Sequence, residues 1–550
     1  MARISGRAAF LQLLVDEGVT HLFGNPGTTE LPIMEVVPDF PRLKYVLGLQ
    51  EAVVLGMADG FCRASNRLAA ANVHVAPGLG NAMGALYNAK FSGSPVILTA
   101  GQQEQGHGLL EPMLYEPLVP IAQPLAKWAV DVTRAEDLPR ILHRAAKIAL
   151  TPPTGPVFLS LPGDVLDQTV DMDMGRPVRV DAATRPSDAT LARLAETLLA
   201  ARRPAILAGQ ELAAHDAFGE AAELAERLGA AVYQSSIPYS AQFPTGHPAY
   251  MGALTRSQKQ VRATLEDHDL LVCLGADLLR MSVYSAVEPL PESLPVIHVS
   301  ERSGELGKNY RTDLAVQANV KQTLQALLPL LRNKPNPEAR SRLDALKSRN
   351  WSAQRERART EALLGAETAP IDPRYLMLRL TETLPQDAVV VDEGLVSSYA
   401  LPRLLALRDP KCYYGLASGG LGFAMPGAVG ISLALPGRPV AAVVGDGAAM
   451  YSVQALWTAA HEKLPITYVI ANNRGYRIIK ERLVAMRSSS RFTGMDLRDP
   501  EIDFVALGRS FGLAARRVTD PQDIAPALRA AFASGAPNLV DVRVADGFGG

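Results

Sequence analysis

The sequence is poor in cysteine, in charge and in long apolar runs, and each shortage removes a class of protein. Three cysteines, Cys62, Cys273 and Cys412, stand far apart in the chain; an odd, scattered set supports neither a disulfide framework nor a zinc site. Charged residues make up only 20% and nearly cancel, to a net −1, so no basic surplus attracts nucleic acid or an anionic membrane. No apolar run reaches the ~18–20 residues that span a bilayer. The basic start "MARISGRAAFLQLLVDEG" is cut short by Asp16 and Glu17 and has no small-residue cleavage site, which reads as a first amphipathic helix, not a signal peptide. The expectation is a soluble cytoplasmic protein. What is abundant is apolar: 48% of the residues are hydrophobic, enough for several cores, and 550 residues suit about three domains at ~150–200 each.

Short apolar runs alternate with helical stretches, the pattern of parallel α/β sheets. The first block offers a helix at 7–18 and strands "THLFG", "KYVLGL", "AAANVHVA", "SPVILTA" and "GPVFLSLP". Polar, proline-containing sequence at 163–188 reads as a linker. A second block carries "PAILAG", "AAVYQ", "LLVCLGA" and "PVIHVS"; a third carries "AVVVDEG", "PVAAVVGDG", "PITYVIANN" and "NLVDVRV". The fold expected is three doubly wound parallel-sheet domains at 1–180, 189–335 and 366–550. The charged stretch 338–365 reads as a solvated helix between the last two.

Two strand ends hold most of the chemistry. In "AAVVGDGAAMYS" an apolar run ends in Gly445-Asp446-Gly447, with a helix expected from about Ala448. In an open parallel sheet, ligands bind beyond the carboxyl ends of strands. A helix start there offers backbone N–H groups to phosphate, and glycines let the backbone approach closely. A carboxylate beside phosphate repels it unless a divalent cation lies between, and Mg²⁺ bound by one or two carboxylate-type oxygens plus phosphate meets that need. Asn473 lies 27 residues after Asp446, one helix and one strand later, so its amide oxygen and the Gly475 carbonyl can complete an oxygen shell. The alternative is ordinary capping and turn chemistry; two such motifs on successive strand ends argue against it. "GLGNAMG" (78–84) imitates a dinucleotide fingerprint, but its glycine spacing is wrong and no acid ends a suitable next strand.

GDG, 24 intervening residues, then NN resembles the signature of thiamine-diphosphate (ThDP) enzymes. The likeness runs through "FGNPGTTELP", "LQEAVVLGMADG", "NVHVAPGLGNAMGAL", "ASGGLGFAMPGAVG" and "ALWTAA", in the order pyrimidine-binding, middle and diphosphate-binding domains. Within that superfamily of 2-oxo-acid decarboxylases and acetolactate synthases, the closest likeness is to the benzoylformate decarboxylases. The resemblance implies ThDP and Mg²⁺ as cofactors, with Asp446, Asn473 and Gly475 on the metal. It implies Gly419, Leu421, Gly447, Ala448 and Tyr476 around the cofactor. Glu51 would hydrogen-bond the pyrimidine ring and promote the tautomer that removes the C2 proton. Leu421 would be the apolar wedge under the bent cofactor, His74 a proton-handling group facing substrate, and Thr28 a hydroxyl on the substrate carboxylate. Partners would be a small 2-oxo acid and further copies of the chain, a dimer at least and a homotetramer by family habit, since in the family two subunits share each cofactor.

Departures from the family bear on the substrate. The benzoylformate decarboxylases have a second active-site histidine in the segment matching 275–289; here the position is Ser282, so another acid such as His107 serves, or a second carbonyl compound captures the carbanion. Gly415 replaces a pocket phenylalanine. Lys480, Glu481 and Arg482 replace aromatic residues, either on an outer helix face or, if Arg482 faces the cleft, favouring a polar or anionic substrate. The expected activity is decarboxylation of a 2-oxo acid to an aldehyde and CO₂. The alternatives are a carboligase or synthase of the acetolactate synthase or 2-hydroxyacyl-CoA lyase type, and a non-catalytic ThDP-binding homologue. Relatives that carry FAD or ADP in the middle domain leave a nucleotide there open.

Overall fold

A computed structural model describes residues 2–334 and 336–548. Three six-stranded sheets order the chain, each with every recorded strand pair parallel, as the alternating pattern predicts. Central strands such as Val157–Pro162, Val440–Gly445 and Ile466–Asn472 are buried at every residue. Helices on both faces of a parallel sheet leave no solvated side, which explains why these strands read as unbroken apolar runs.

The N-terminal sheet runs, in space, Lys44–Leu47, His21–Gly24, Ala69–Val73, Val96–Gln102, Val157–Pro162, Ala129–Asp131. The C-terminal sheet runs Tyr413–Gly415, Val389–Glu393, Val440–Gly445, Ile466–Asn472, Asn538–Arg543, Ala514–Val518. Numbered within its own domain, each follows the order 2-1-3-4-6-5. The middle sheet differs: Tyr250–Ala253, Ala231–Gln234, Pro204–Ala208, Leu270–Leu274, Val296–Ser300, Leu314–Gln317 gives 3-2-1-4-5-6, the dinucleotide-fold order. A buried acid follows its first strand, Pro204–Ala208. This residue, Glu211, accepts from Ser300 Oγ at 2.6 Å and from the Glu301 N–H at 3.1 Å, with Arg302 at 3.7 Å.

Three details depart from the sequence reading. The first helix, Gly6–Asp16, is preceded by a strand, Ala2–Ser5, that pairs antiparallel with Thr169–Met172, so the stretch expected to be linker folds back on the chain's start. The charged stretch 338–365 forms two helices, Ala339–Leu346 and Trp351–Leu363. The second is not wholly solvated, for Trp351 is buried and its ring N–H donates to Pro402 O at 3.0 Å.

The outer domains meet helix to helix. Glu51–Ser65 and Ala424–Ala434 cross so closely that a Cβ on Gly60 would lie 2.3 Å from Gly427 O, and one on Gly430 1.9 Å from Met57 O. Backbones touch only where side chains are absent. The helix that begins at Glu51 is thereby fixed to the helix that follows the "GGLG" loop.

Candidate active site

The Gly-Asp-Gly turn closes strand Val440–Gly445, and Asp446 opens a four-residue helix, Asp446–Ala449. Gly445 is the cap residue and no side chain caps that helix, so Asp446 is free to reach sideways. Its Oδ2 accepts the Gly475 N–H at 3.0 Å, and Asn473 Oδ1 accepts the same N–H at 3.0 Å. Two side-chain oxygens from neighbouring strand ends thus converge on one point. Arg474, between Asn473 and Gly475, sits in the left-handed region with φ 59°, which turns the chain sharply enough for this. Asp446 and Asn473 are buried. Burial pushes the Asp446 carboxyl up to about 6, opposed by backbone N–H groups, because a charge without a cation partner is costly in a low dielectric.

Those features fit a divalent cation. Among the described residues no cluster of three His, Cys, Asp or Glu side chains could hold one, so a cation here draws on Asp446, the Asn473 amide, a backbone carbonyl such as that of Gly475, and phosphate. That is a magnesium-like oxygen set. Gly447 leaves room for Tyr476, whose ring would lie 2.6 Å from a Cβ at that position, and Ala448 is buried beside it.

The loop Ser418–Phe423 is gripped from two sides. Glu393, at the end of strand Val389–Glu393, accepts from the Gly422 N–H through Oε1 and the Ala424 N–H through Oε2, both at 2.6 Å. From the N-terminal domain, Asn88 Oδ1 accepts from Ser418 N–H and Oγ at 3.2 and 3.1 Å, and Asn88 Nδ2 donates to buried Asp59 at 2.7 Å. Gly419, with φ +88°, and Leu421 between these anchors face a cavity of about 1380 Å³. Its opposite wall is the middle domain, including Ser236, Arg256 and Ser282. Burial pushes the Glu393 carboxyl up to about 7.

In the N-terminal domain, Glu51 is the first residue of its helix, behind Gln50, whose side chain caps the Ala52 and Val53 N–H groups. Asn81 Nδ2 donates to Glu51 Oε2 at 3.1 Å, and a Cβ on Gly78 would lie 3.2 Å from Glu51 Oε1. "GLGNAMG" therefore gives Glu51 space and a partner. His74 closes strand Ala69–Val73 and is half-buried; its Nδ1 meets Glu30 Oε2 at 2.8 Å and Thr29 Oγ1 at 3.1 Å. Glu30 is fully buried and also accepts from the Gly27 and Gly101 N–H groups at 2.9 Å. The next residue, Val75, has φ 41°, an outlier for a β-branched side chain, of a kind that clusters at functional sites. Thr28 is exposed on the turn Thr28–Glu30, and Thr29, not Thr28, makes the bond to His74.

The cavity wall includes Gly419 and Leu421 but not Glu51, His74, Asp446 or Asn473. Within one chain the site residues therefore form separate clusters. Lys480 does not face the cavity: it is buried against Asp496 at 2.7 Å and Asp546 at 3.7 Å. Glu481 and Arg482 do line it, so the outer-face alternative fails for them. Gly415 is buried in its strand with no room for a larger residue, a Cβ lying 3.1 Å from Pro238 O; the glycine does not widen the cavity. His107 is exposed on the turn Gln105–Leu110, away from that wall. Glu393, Glu30 and Asn88 went unread in the sequence. Glu393 alone carried a signal, an acid at the end of an apolar strand, like Asp446.

Three sheets with this arrangement of strand ends define a three-domain ThDP enzyme, and family models agree. "Thiamine pyrophosphate enzyme, N-terminal TPP binding domain" matches residues 4–113, the central domain 191–327 and the C-terminal TPP binding domain 396–542. The chain belongs to the thiamine pyrophosphate enzyme family. It is 34% identical to the benzoylformate decarboxylase of Pseudomonas aeruginosa, over 97% of this chain and 98% of that one. It is 30% identical to a putative acetolactate synthase large subunit of Mycobacterium tuberculosis, over 98% and 99%. Among solved structures it resembles the ThDP-dependent 4-hydroxybenzoylformate decarboxylase of Rhodococcus jostii, with TM-score 0.88 and 34% identity over 98% of this chain and 99% of that one.

Proposed function

We propose that the chain is a Mg²⁺- and ThDP-dependent carboxy-lyase that converts a 2-oxo acid to an aldehyde and CO₂. The observation that carries this reading is the convergence of Asp446 and Asn473 oxygens on the Gly475 N–H, with both side chains buried. Asp446, Asn473 and the Gly475 carbonyl hold Mg²⁺, and through it the diphosphate, with Gly447, Ala448 and Tyr476 shaping the pocket around it. Gly419 and Leu421 support the thiazolium end, on a loop held by Glu393 and Asn88. Bound ThDP supplies an electron sink for the bond that breaks as CO₂ leaves. Glu51 holds a proton at the pyrimidine, with Asn81 setting its carboxylate. His74 exchanges protons with substrate, its ring oriented by Glu30, and Thr28 offers a hydroxyl to the substrate carboxylate. Because these clusters line no common cavity within one chain, the complete site draws on a second copy, in a homodimer or a dimer of dimers.

One observation favours a carboligase as the second reading. Among the described residues that line the cavity none is a histidine and Ser282 is one, which leaves His74 alone to exchange protons where the resemblance implies two histidines. Incubating purified enzyme, ThDP and Mg²⁺ with benzoylformate or pyruvate, with and without an acceptor aldehyde, separates the two. Free aldehyde supports the decarboxylase; hydroxyketone or acetolactate without free aldehyde supports the ligase. Tight ThDP binding with no turnover of any 2-oxo acid leaves a cofactor-binding homologue.

A further inference from the structure

The acids and bases around the large cavity differ in how far they are already satisfied. Asp277 pairs with Arg302 at 3.1 Å and Glu481 with Arg477 at 2.9 Å. Both Glu393 oxygens are taken by backbone N–H groups, and Asp392 accepts from Gly394 N–H at 2.9 Å and Tyr413 O–H at 3.1 Å. Burial pushes the Asp392 carboxyl up and the charge of Arg256 is among the influences that pull it back, yet no Asp392 oxygen lies within 4.0 Å of that guanidinium. Of the arginines, Arg403 pairs with Glu361 at 3.1 Å, Arg280 stacks on Phe91 and lies 3.5 Å from Asp277, and Arg357, which has no carboxylate within 4.0 Å among the described residues, is exposed to solvent.

Arg256 and Arg482 are different. Both are half-buried on the cavity wall, and neither has a carboxylate within 4.0 Å among the described residues. Arg256 stands over the Tyr399 ring at 5.6 Å. The helix Arg477–Arg487, which carries Arg482, packs against the turn Leu395–Ser398 just before Tyr399. Arg256, from the middle domain, thus reaches the end of the turn against which the helix of Arg482, in the C-terminal domain, packs. The wall carries five arginines, Arg256, Arg280, Arg357, Arg403 and Arg482, against four acids, Asp277, Asp392, Glu393 and Glu481, and two of those acids pair with arginines off the wall, a surplus that favours negative charge.

Resting on the decarboxylase reading above, we propose that this cavity selects a 2-oxo acid carrying a second carboxylate at its far end, held by Arg256 and Arg482. A single guanidinium fork matches a carboxylate bidentately. The volume, about 1380 Å³, is above the ~300–1,000 Å³ usual for small-ligand sites, and it has to admit the thiazolium end of ThDP beside Gly419 and Leu421 as well as the substrate.

The test uses the ThDP- and Mg²⁺-loaded enzyme with three acids: 2-oxohexanoate, its ω-carboxylate counterpart 2-oxoadipate, and benzoylformate. The expected result is a kcat/KM for 2-oxoadipate at least tenfold above that for 2-oxohexanoate and benzoylformate. Arg256→Gln and Arg482→Gln should each shrink that preference at least fivefold, through KM, while the lysine variants keep most of it. A wild-type preference for either singly charged acid, or one unaltered in both glutamine variants, overturns the proposal. Calorimetry with adipate, which cannot react, separates this failure from that of the parent reading. Adipate binding that weakens in the glutamine variants, with no acid decarboxylated, sustains the anion site and sinks the decarboxylase; turnover of the singly charged acids without adipate binding sinks the anion site alone. Absence of both sinks both.

Discussion

The N- and C-terminal sheets share one strand order, yet their equivalent strand ends face opposite electrical problems. After the second strand of each domain come Glu51 in one and the "GGLG" loop in the other; after the third come His74 and Asp446. In the C-terminal domain the third strand delivers a buried carboxylate with amide and backbone neighbours but no cation. In the N-terminal domain it delivers an imidazole already paired with a buried carboxylate, Glu30. On the proposed reading, one frame provides a socket for positive charge and the other a held proton carrier. The middle sheet, wound in a different order, buries Glu211 after its first strand and contributes a cavity wall from its strand ends.

Breaking the proton side should have the largest effect. Glu51→Gln is expected to slow exchange of the ThDP C2 proton by roughly 10²–10⁴, the usual worth of a positioned acid–base group, with the circular dichroism of the fold unchanged; exchange at the wild-type rate removes Glu51 from its role. Breaking the cation side comes next. Asp446→Ala should weaken ThDP binding in the presence of Mg²⁺ by roughly 100-fold or more, since even indirect partners of a metal cost 10–100-fold, and chelation of Mg²⁺ from the wild type should do the same by calorimetry. A smaller effect probes the support of His74: Glu30→Gln should lower kcat on the order of tenfold by slackening the ring, less than His74→Ala does, and equal losses would mean that Glu30 does more than orient.

The smallest effect concerns Glu393 and acts on stability. Burial raises its carboxyl from 4.5 to about 7, so between those values the folded protein holds a proton that the unfolded chain releases. Its contribution to apoprotein stability is therefore present below pH 4.5 and lost as pH rises to about 7. The Tm difference between wild type and Glu393→Gln should fall across that window and level off above it. A difference that stays constant with pH would show that Glu393 does not titrate there.

Much of the fold was legible, and the misses share a cause. Every central strand was visible as a mainly apolar run, because a strand covered on both faces has few polar positions, Asp541 and Ser160 among them. Besides the two-stranded ribbon of Ala2–Ser5 and Thr169–Met172, the unread strands Ala129–Asp131, Tyr250–Ala253, Leu314–Gln317, Tyr413–Gly415 and Ala514–Val518 are all edges of the six-stranded sheets, short or partly polar as edges tend to be. In the site, Asp446 and Asn473 were legible because consecutive strand ends keep a regular spacing. Glu30 and His74 are 44 residues apart, and Asn88 and Ser418 are 330 apart; such pairs exist only once the chain folds, and neither member carries a local signature. Arg482 lay between, since a helix in a charged stretch does not disclose which face meets a cavity.

The claim beneath the comparison is that strand ends Gly445–Asp446 and Asn472–Asn473 hold a divalent ion against a diphosphate. Mn²⁺ in place of Mg²⁺ makes this directly observable by electron–nuclear double resonance. On addition of ThDP to the wild type, the bound Mn²⁺ should acquire a phosphorus coupling, and Asp446→Asn should abolish it. Mn²⁺ that binds ThDP-loaded protein without a phosphorus coupling, or with the same coupling in Asp446→Asn, would contradict the account.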